Sequence, residues 1–420
     1  MILFHGEILE NKEQERILNQ LEEDCLQTLC QLNTPQIHQV IHACDVLYQK
    51  AIQHEFDDVV LPILKSNHIS YERFLEMAKL FSEEELSYKC KIEWGEAGLN
   101  LQKLKNGTTR LRRPLGILFH IAAGNVDALP AFSVIEGLLA GNINILKLPT
   151  GDSGLSIHLL AELIQVEPVL KDYIYVFDVP STEVQTIKRF ADIADGIVVW
   201  GGDAAVKAAY QMASVTTKVI PWGHKLSFAY ATLEATDAQL EALAYHICTT
   251  NQILCSSCQG IFVDTEDYRV LTTFGYRFFQ ILKKVNQEVG KADIGMRGKN
   301  TLQIYNDRLE HPDRQIWCED GVSVSLLEDQ ELMLSYLFRN VWIKALPHQQ
   351  LITTLKKHKN HLQTCGLLCS AAQKETLAKY IAASGVVRIT GADMSRMIPG
   401  EAHDGCYPLR EYTRIVEIDE

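Results

Sequence analysis

A thiol can attack a carbonyl carbon, hold the acyl group as a thioester and leave again. The segment Asn251-Gln252-Ile253-Leu254-Cys255-Ser256-Ser257-Cys258-Gln259-Gly260 sets one such thiol, Cys255, among small polar residues after a helix-like stretch and before a strand-like one. Exposure and electropositive surroundings make a cysteine reactive, and a cysteine that only packs as a small apolar residue fits the same local pattern. Cys255 and Cys258 form a CxxC, but the other close pairs, Cys25/Cys30 and Cys365/Cys369, have the wrong spacing and sit in apolar periodic stretches. No metal site is therefore expected. HExxH, GxGxxG and GxxxxGK[ST] are all missing, which removes the common zinc-protease, dinucleotide and P-loop readings.

Two further segments carry polar groups where chemistry is done. In Arg113 to Pro130 an apolar strand runs into the small-residue turn Ala122-Ala123-Gly124-Asn125 and then a helix start. An asparagine beyond a strand end can donate its amide to a developing oxyanion; equally, Asn125 or Asp127 can be simply the helix N-cap. In Gly141 to Thr150 a helix stops at Gly141, a strand follows, and Lys147 stands at its carboxyl end. That lysine can hydrogen-bond a ribose or phosphate, or it can be solvated. Val199-Trp200-Gly201-Gly202-Asp203 is again strand, glycines and helix start, and it offers backbone N–H groups to a pyrophosphate.

These groups need a scaffold, and the pattern of the chain supplies one. The first hundred residues read as helices, with Ile17, Leu18, Leu21, Cys25, Leu26 and Leu29 near a 3.6 period and a capping box at Ser82-Glu83-Glu84-Glu85. From Leu115, short apolar runs at 116–121, 143–148, 173–177, 196–200 and 218–220 alternate with helix-like stretches, which predicts a parallel sheet covered on both faces. A second series from Leu226 predicts strands at 260–263, 301–305, 322–326, 341–345, 366–370 and 386–389. Its predicted helices lie near 237–250, 267–284, 328–338 and 373–383. The fold class expected is α/β. It comprises a Rossmann-like domain over 1–223 that includes a helical region at about 1–95, a second α/β domain over 224–395, and a C-terminal loop and strand over 396–420. A cleft is expected between the two domains. The alternating ending, Arg410 to Asp419, reads as a strand that completes a sheet in this chain or in a neighbour's.

Composition narrows the setting. The 420 residues are 47% hydrophobic and carry 40 basic against 53 acidic side chains, so the net charge of −13 leaves no basic surface for nucleic acid. No eighteen-residue apolar run and no charged leader are found, and the 11 cysteines suit reduced thiols. A cytoplasmic protein without a membrane span is the expectation.

Taken together, the R-x-P-x-G strand, the Asn125 turn, the G-N-x-x-x-x-K strand ending at Lys147, the Gly201-Gly202 turn and the Q-x-x-C loop resemble the aldehyde dehydrogenase superfamily in type and order. The subgroup resembled most is the fatty acyl-CoA reductase of bacterial luminescence, through A-G-N-x-x-x-L-P-A-F-S at 123–133, Q-x-x-C-S-S at 252–257 and His403-Asp404-Gly405 before Pro408-Leu409. The resemblance implies an aldehyde dehydrogenase-like fold and an acyl-CoA reductase, an oxidoreductase that turns a fatty acyl thioester into aldehyde through a cysteine S-acyl enzyme. On matching positions Cys255 is the nucleophile, Asn125 and the Cys255 N–H form the oxyanion site, and His403 has either an acid-base or a loop-ordering role. Lys147, Thr150, Gly201 and Gly202 meet the cofactor.

Where oxidative members carry the glutamate of E-L-G-G-K, this chain has Pro221-Trp222-Gly223-His224-Lys225. Proline is no base, which speaks against hydrolysis of an acyl-enzyme. Thr150, three positions beyond Lys147, is uncharged where NAD-preferring members often carry an acid. NADPH is expected, with NADH allowed and Asp152 close by. The partners implied are acyl-CoA or another acyl thioester, copies of the same chain in a homo-oligomer, and an acyl-donating enzyme. The competing readings are an oxidative aldehyde dehydrogenase and a catalytically silent acyl-binding or interaction subunit.

Overall fold

The structure is a computed structural model and describes every residue except 33, 67–69, 97, 125–127, 291, 293, 395–399 and 420. The chain divides into two compact units, Met1–Gly223 with Ile398–Glu420, and His224–Met397.

The first unit holds strands β1 (Ile2–Phe4), β2 (Glu7–Leu9), β3 (Gln102–Lys103), β4 (Thr109–Pro114), β5 (Ile117–Ile121), β6 (Ile143–Lys147), β7 (Ile174–Phe177), β8 (Gly196–Trp200) and β9 (Lys218–Trp222). Seven of these form a sheet in the order β2-β1-β7-β6-β5-β8-β9. Strands β7 to β9 in that order are parallel. The runs of β5 to β8 are buried almost without interruption, as a sheet with helices on both faces requires, whereas β9 at the edge is partly exposed. The order reverses between β5 and β8, and ligands of doubly wound sheets bind beyond the carboxyl ends at such a point. The N-terminal region is helical at Gln14–Cys30, Ile37–Ile52, Asp57–Ser66, Tyr71–Ala78 and Glu83–Trp94, and Ser82 caps the last of these. The expectation of helices alone misses the β1–β2 hairpin, whose three-residue strands are too short to declare a period. β1 joins β7 antiparallel and is fully buried.

The second unit contains β10 (Leu226–Ala231), β11 (Cys258–Val263), β12 (Ile316–Glu319), β13 (Val322–Leu327), β14 (Asn340–Ala345), β15 (Leu362–Leu368) and β16 (Arg388–Thr390). They form a second seven-stranded sheet ordered β12-β13-β14-β11-β10-β15-β16, parallel except for the β12–β13 hairpin. Two expectations are corrected here. Residues 301–305 belong to the Ile294–Glu310 helix: of the apolar residues in that short stretch only Ile304 is buried, and Thr301 Oγ1 donates to the Arg297 carbonyl one turn back. Residues 328–338 are not helical. Lys344 Nζ takes Asp329 Oδ1 at 2.5 Å and the Glu331 carbonyl at 2.7 Å, and Trp342 Nε1 takes the Met333 carbonyl at 3.0 Å, so side chains from β14 claim groups a helix would use.

The last strand, β17 (Thr413–Ile418), pairs antiparallel with β4 in a three-stranded sheet of the first unit, ordered β17-β4-β3. The terminal strand thus completes a sheet in its own chain. No helix among the described residues is long and apolar enough to cross a membrane.

Candidate active site

The Cys255 loop lies between the Asp237–Thr250 helix and β11, at the amino edge of the second sheet. The backbone turns through left-handed conformations at Asn251 (φ 47°), a type that tolerates them, and at Gln252 (φ 63°), where they cost about 1–2 kcal/mol. Side chains hold this turn. Gln252 Nε2 donates to the carbonyls of Cys258 (3.0 Å) and Gln259 (3.3 Å), and Gln259 Nε2 returns bonds to those of Gln252 (3.0 Å) and Ser257 (3.3 Å). Ser257 Oγ accepts from the Leu254 N–H at 3.1 Å. Ser227, in β10, donates its hydroxyl to the Cys255 carbonyl at 2.7 Å and accepts from the Thr364 N–H at 3.1 Å.

The two cysteines of the CxxC are separated by this geometry. Cys255 is exposed, whereas Cys258 is fully buried and donates its thiol to the Gly260 carbonyl at 3.2 Å. Burial pushes the Cys258 thiol up to about 12, so it stays protonated and inert. His246 accepts from the Cys258 N–H at Nε2 (3.2 Å), and burial lowers its pKa to about 4, so the ring beneath the loop is neutral.

In the first unit, Lys147 ends β6 as a buried side chain. Its Nζ donates to the Leu148 carbonyl (3.0 Å) and to Ser181 Oγ (3.2 Å). Desolvation lowers its pKa, and nearby Asp178 opposes that shift. Thr150 is exposed just beyond, and Asp152 accepts from the Gly154 N–H at 2.8 Å, closing a local turn. Gly201 and Gly202 follow β8. Gly202 is exposed, precedes the Asp203–Met212 helix with no side-chain cap, and has nothing within 4 Å of where a Cβ would stand. An uncapped helix start in open space suits a pyrophosphate. Asn125 and Asp127 lie outside the described residues. The helix after them, Leu129–Leu139, starts from Ala128 in a left-handed conformation (φ 59°) with Pro130 in its first turn.

His403 lies against two indoles. Its ring centroid is 5.0 Å from that of Trp200 and 5.1 Å from that of Trp222, residues paired at the carboxyl ends of β8 and β9. Sequence reasoning passed over both tryptophans, although each ends an apolar run next to glycine. It also missed the polar chain behind them. Trp200 Nε1 donates to Ser133 Oγ (2.9 Å), which bonds His120 Nδ1 (2.7 Å); His120 Nε2 meets Asn144 Oδ1 (3.0 Å). With Asn144 accepting, His120 carries its proton on Nε2 and Ser133 donates to Nδ1, so each polar group has a partner. Polar residues inside the apolar runs of β5 and β6 were the available signal. Among the described residues, one cluster of metal-ligand types, Asp307, Glu310 and His311, brings its ligand atoms within 4.8 Å of one another, but Asp307 is engaged by Arg314 at 3.1 Å.

Comparison with known proteins gives the class first. The fold is that of the aldehyde dehydrogenases. The putative aldehyde dehydrogenase PutA from Anabaena variabilis superposes with a TM-score of 0.70 at 12% identity, covering 98% of this chain and 93% of that one. A NAD-dependent benzaldehyde dehydrogenase from Corynebacterium glutamicum gives 0.69 at 11% identity, covering 96% and 90%. The family follows: the acyl-CoA reductase (LuxC) family model matches residues 30–415, and the chain belongs to that family. A long-chain acyl-protein thioester reductase from Aliivibrio fischeri is 25% identical over an alignment of 316 residues that covers 72% of this chain. The chain spans 64% of that relative's length, less than two thirds.

Proposed function

We propose that this chain is an oxidoreductase that reduces a fatty acyl thioester to the aldehyde through an S-acyl group on Cys255, with NADPH as reductant. The observation that carries this reading is the contrast between Cys255, exposed on a turn whose polar groups are bonded from below, and Cys258, sealed and protonated three residues later. Family membership supports the same chemistry.

The Cys255 thiolate attacks the acyl carbonyl, and the Cys255 N–H together with the Asn125 amide receives the charge that develops on oxygen. The thiolate of the donor departs with the electron pair of the broken C–S bond and leaves the acyl group on Cys255. The nicotinamide cofactor, when bound, supplies a hydride. The aldehyde then separates as the Cys255 sulfur takes back its bonding pair. Lys147, Thr150, Gly201 and Gly202 bind the cofactor at the carboxyl edge of the first sheet, and Thr150 brings no negative charge to oppose a 2′-phosphate. At the position of the hydrolytic base stands Pro221 in β9, so water is not activated there and the acyl group leaves as aldehyde rather than carboxylate. The donor is CoA or a protein thiol. The Aliivibrio fischeri relative is a long-chain acyl-protein thioester reductase by name, which favours the protein-bound form.

The test is intact-protein mass spectrometry with tetradecanoyl-CoA, followed by NADPH and analysis of the product. The expected result is one acyl mass on the parent, none on Cys255→Ala, and aldehyde on adding NADPH. An acyl mass on Cys255→Ala, or carboxylate as the product, overturns the reading.

A further inference from the structure

Three consecutive residues before β14 adopt left-handed backbone conformations: Leu337 (φ 55°), Phe338 (φ 46°) and Arg339 (φ 71°). None is glycine, asparagine or aspartate, the types that tolerate this region, and such departures persist only where the surroundings over-determine them. The surroundings here are the other left-handed pair, Asn251 and Gln252, at the root of the Cys255 loop. The Phe338 N–H donates to the Asn251 carbonyl at 3.0 Å, and the Arg339 N–H donates to Gln252 Oε1 at 2.9 Å. The two turns therefore interlock through backbone donors that ordinary conformations would aim elsewhere.

The side chain of Arg339 closes the interlock. It is 4% exposed, and its guanidinium is spent entirely inside the second unit. Nε donates to Asn251 Oδ1 (3.2 Å), Nη2 to the Cys248 carbonyl (3.0 Å), and Nη1 to the Gly290 carbonyl (2.6 Å) and to Asn286 Oδ1. Cys248 lies in the last turn of the Asp237–Thr250 helix, whose carbonyl end carries partial negative charge. That end points into the segment that reaches Cys255 five residues later, and unopposed it would disfavour a thiolate. A buried cation bonded to one of those carbonyls offsets that charge while fixing where the loop begins.

We infer that Arg339 is a positioning residue for Cys255: it locks the 251–252 turn to the 337–339 turn and so holds the nucleophile loop in its attacking geometry. The inference rests on Cys255 being the nucleophile. Arg339 acts through Asn251 and Gln252, and its removal leaves the residues assigned to the cofactor untouched.

The experiment compares the parent with Arg339→Ala on folded protein, checked by near-UV circular dichroism. It reads three quantities: single-turnover acylation by tetradecanoyl-CoA, alkylation of Cys255 by iodoacetamide followed by peptide mass spectrometry, and NADPH affinity. The expected result is acylation slowed about 10²-fold, the scale of a 1 Å misplacement, with alkylation also slowed and NADPH affinity unchanged. Guanidinium ion at millimolar concentration should partly restore both thiol reactions, which a merely destabilised fold would not show. Acylation and alkylation within twofold of the parent overturn the inference. Should Arg339→Ala fail to fold, Asn251→Gly removes the Nε acceptor while easing the backbone. It should slow acylation by about tenfold, and parent-like rates in that variant overturn the inference equally. If the parent itself takes no acyl group, the nucleophile assignment is what fails, and the iodoacetamide rates still decide the role of Arg339.

Discussion

A thiol open to solvent and a thiol that packs can stand three residues apart, and Cys255 and Cys258 differ only in what the fold does around them. Cys258→Ala should keep the acyl adduct on Cys255 and cost about 1 kcal/mol of stability, read as a shifted urea midpoint, because it deletes a small buried group. Lys147 makes the complementary case. Its ammonium lies at the carboxyl end of β6 with bonds to Leu148 and Ser181 and a pKa lowered by burial. Lys147→Met keeps most of the buried alkyl volume, so it should fold, acylate normally and bind NADPH about tenfold more weakly in a fluorescence titration, a loss of about 1.4 kcal/mol. Cys255 and Lys147 were legible as candidates from residue type and neighbours. The groups that hold the Cys255 turn were not, because Ser227, Thr364 and Arg339 come from three distant stretches that only the tertiary fold brings together.

Elements are fixed by buried polar contacts as much as by apolar runs. The Glu83–Trp94 helix supplies Lys89 and Glu93, and the Leu129–Leu139 helix supplies Glu136. Lys89 Nζ is 2.8 Å from Glu93 and 2.9 Å from Glu136, all three side chains being nearly or fully buried. The second Glu93 oxygen accepts from the Leu409 N–H at 2.7 Å, which ties down the segment leading from His403 to β17. Lys89→Met strips two buried carboxylates of their cation and should cost about 3–5 kcal/mol. Glu93→Gln keeps a polar group of the same shape and should cost about 1–3 kcal/mol, with faster amide exchange over 403–418. Equal losses from the two substitutions would argue against this ranking. The parallel strands of the first sheet, β5 to β9, were readable because each is a mainly apolar run ended by glycine, proline or a polar turn. The 301–305 and 328–338 stretches misled because their outcome depends on what packs against them: a helix that buries Ile304 in one case, and the reach of Lys344 and Trp342 in the other.

At the scale of the whole molecule, each unit carries, among the described residues, one buried histidine whose pKa burial lowers to about 4: His120 in the first, His246 in the second. Unfolding frees each to titrate near 6.5, so below that value the unfolded chain binds more protons and stability falls as pH drops, until both states are protonated below about 4. Each histidine should remove roughly 2 kcal/mol between pH 7 and pH 5, and both units should weaken over the same window. Urea midpoints that stay level across that range would show both rings titrating in place.

One arrangement also bears on biosynthesis. The first unit is closed by residues that follow the second in the chain, through β17 on β4 and Leu409 on Glu93. On the ribosome the later unit therefore has all its parts first, while the earlier one waits with the edge of β4 unpaired until the final stretch emerges. A stop codon near residue 400 would harm the half translated long before it.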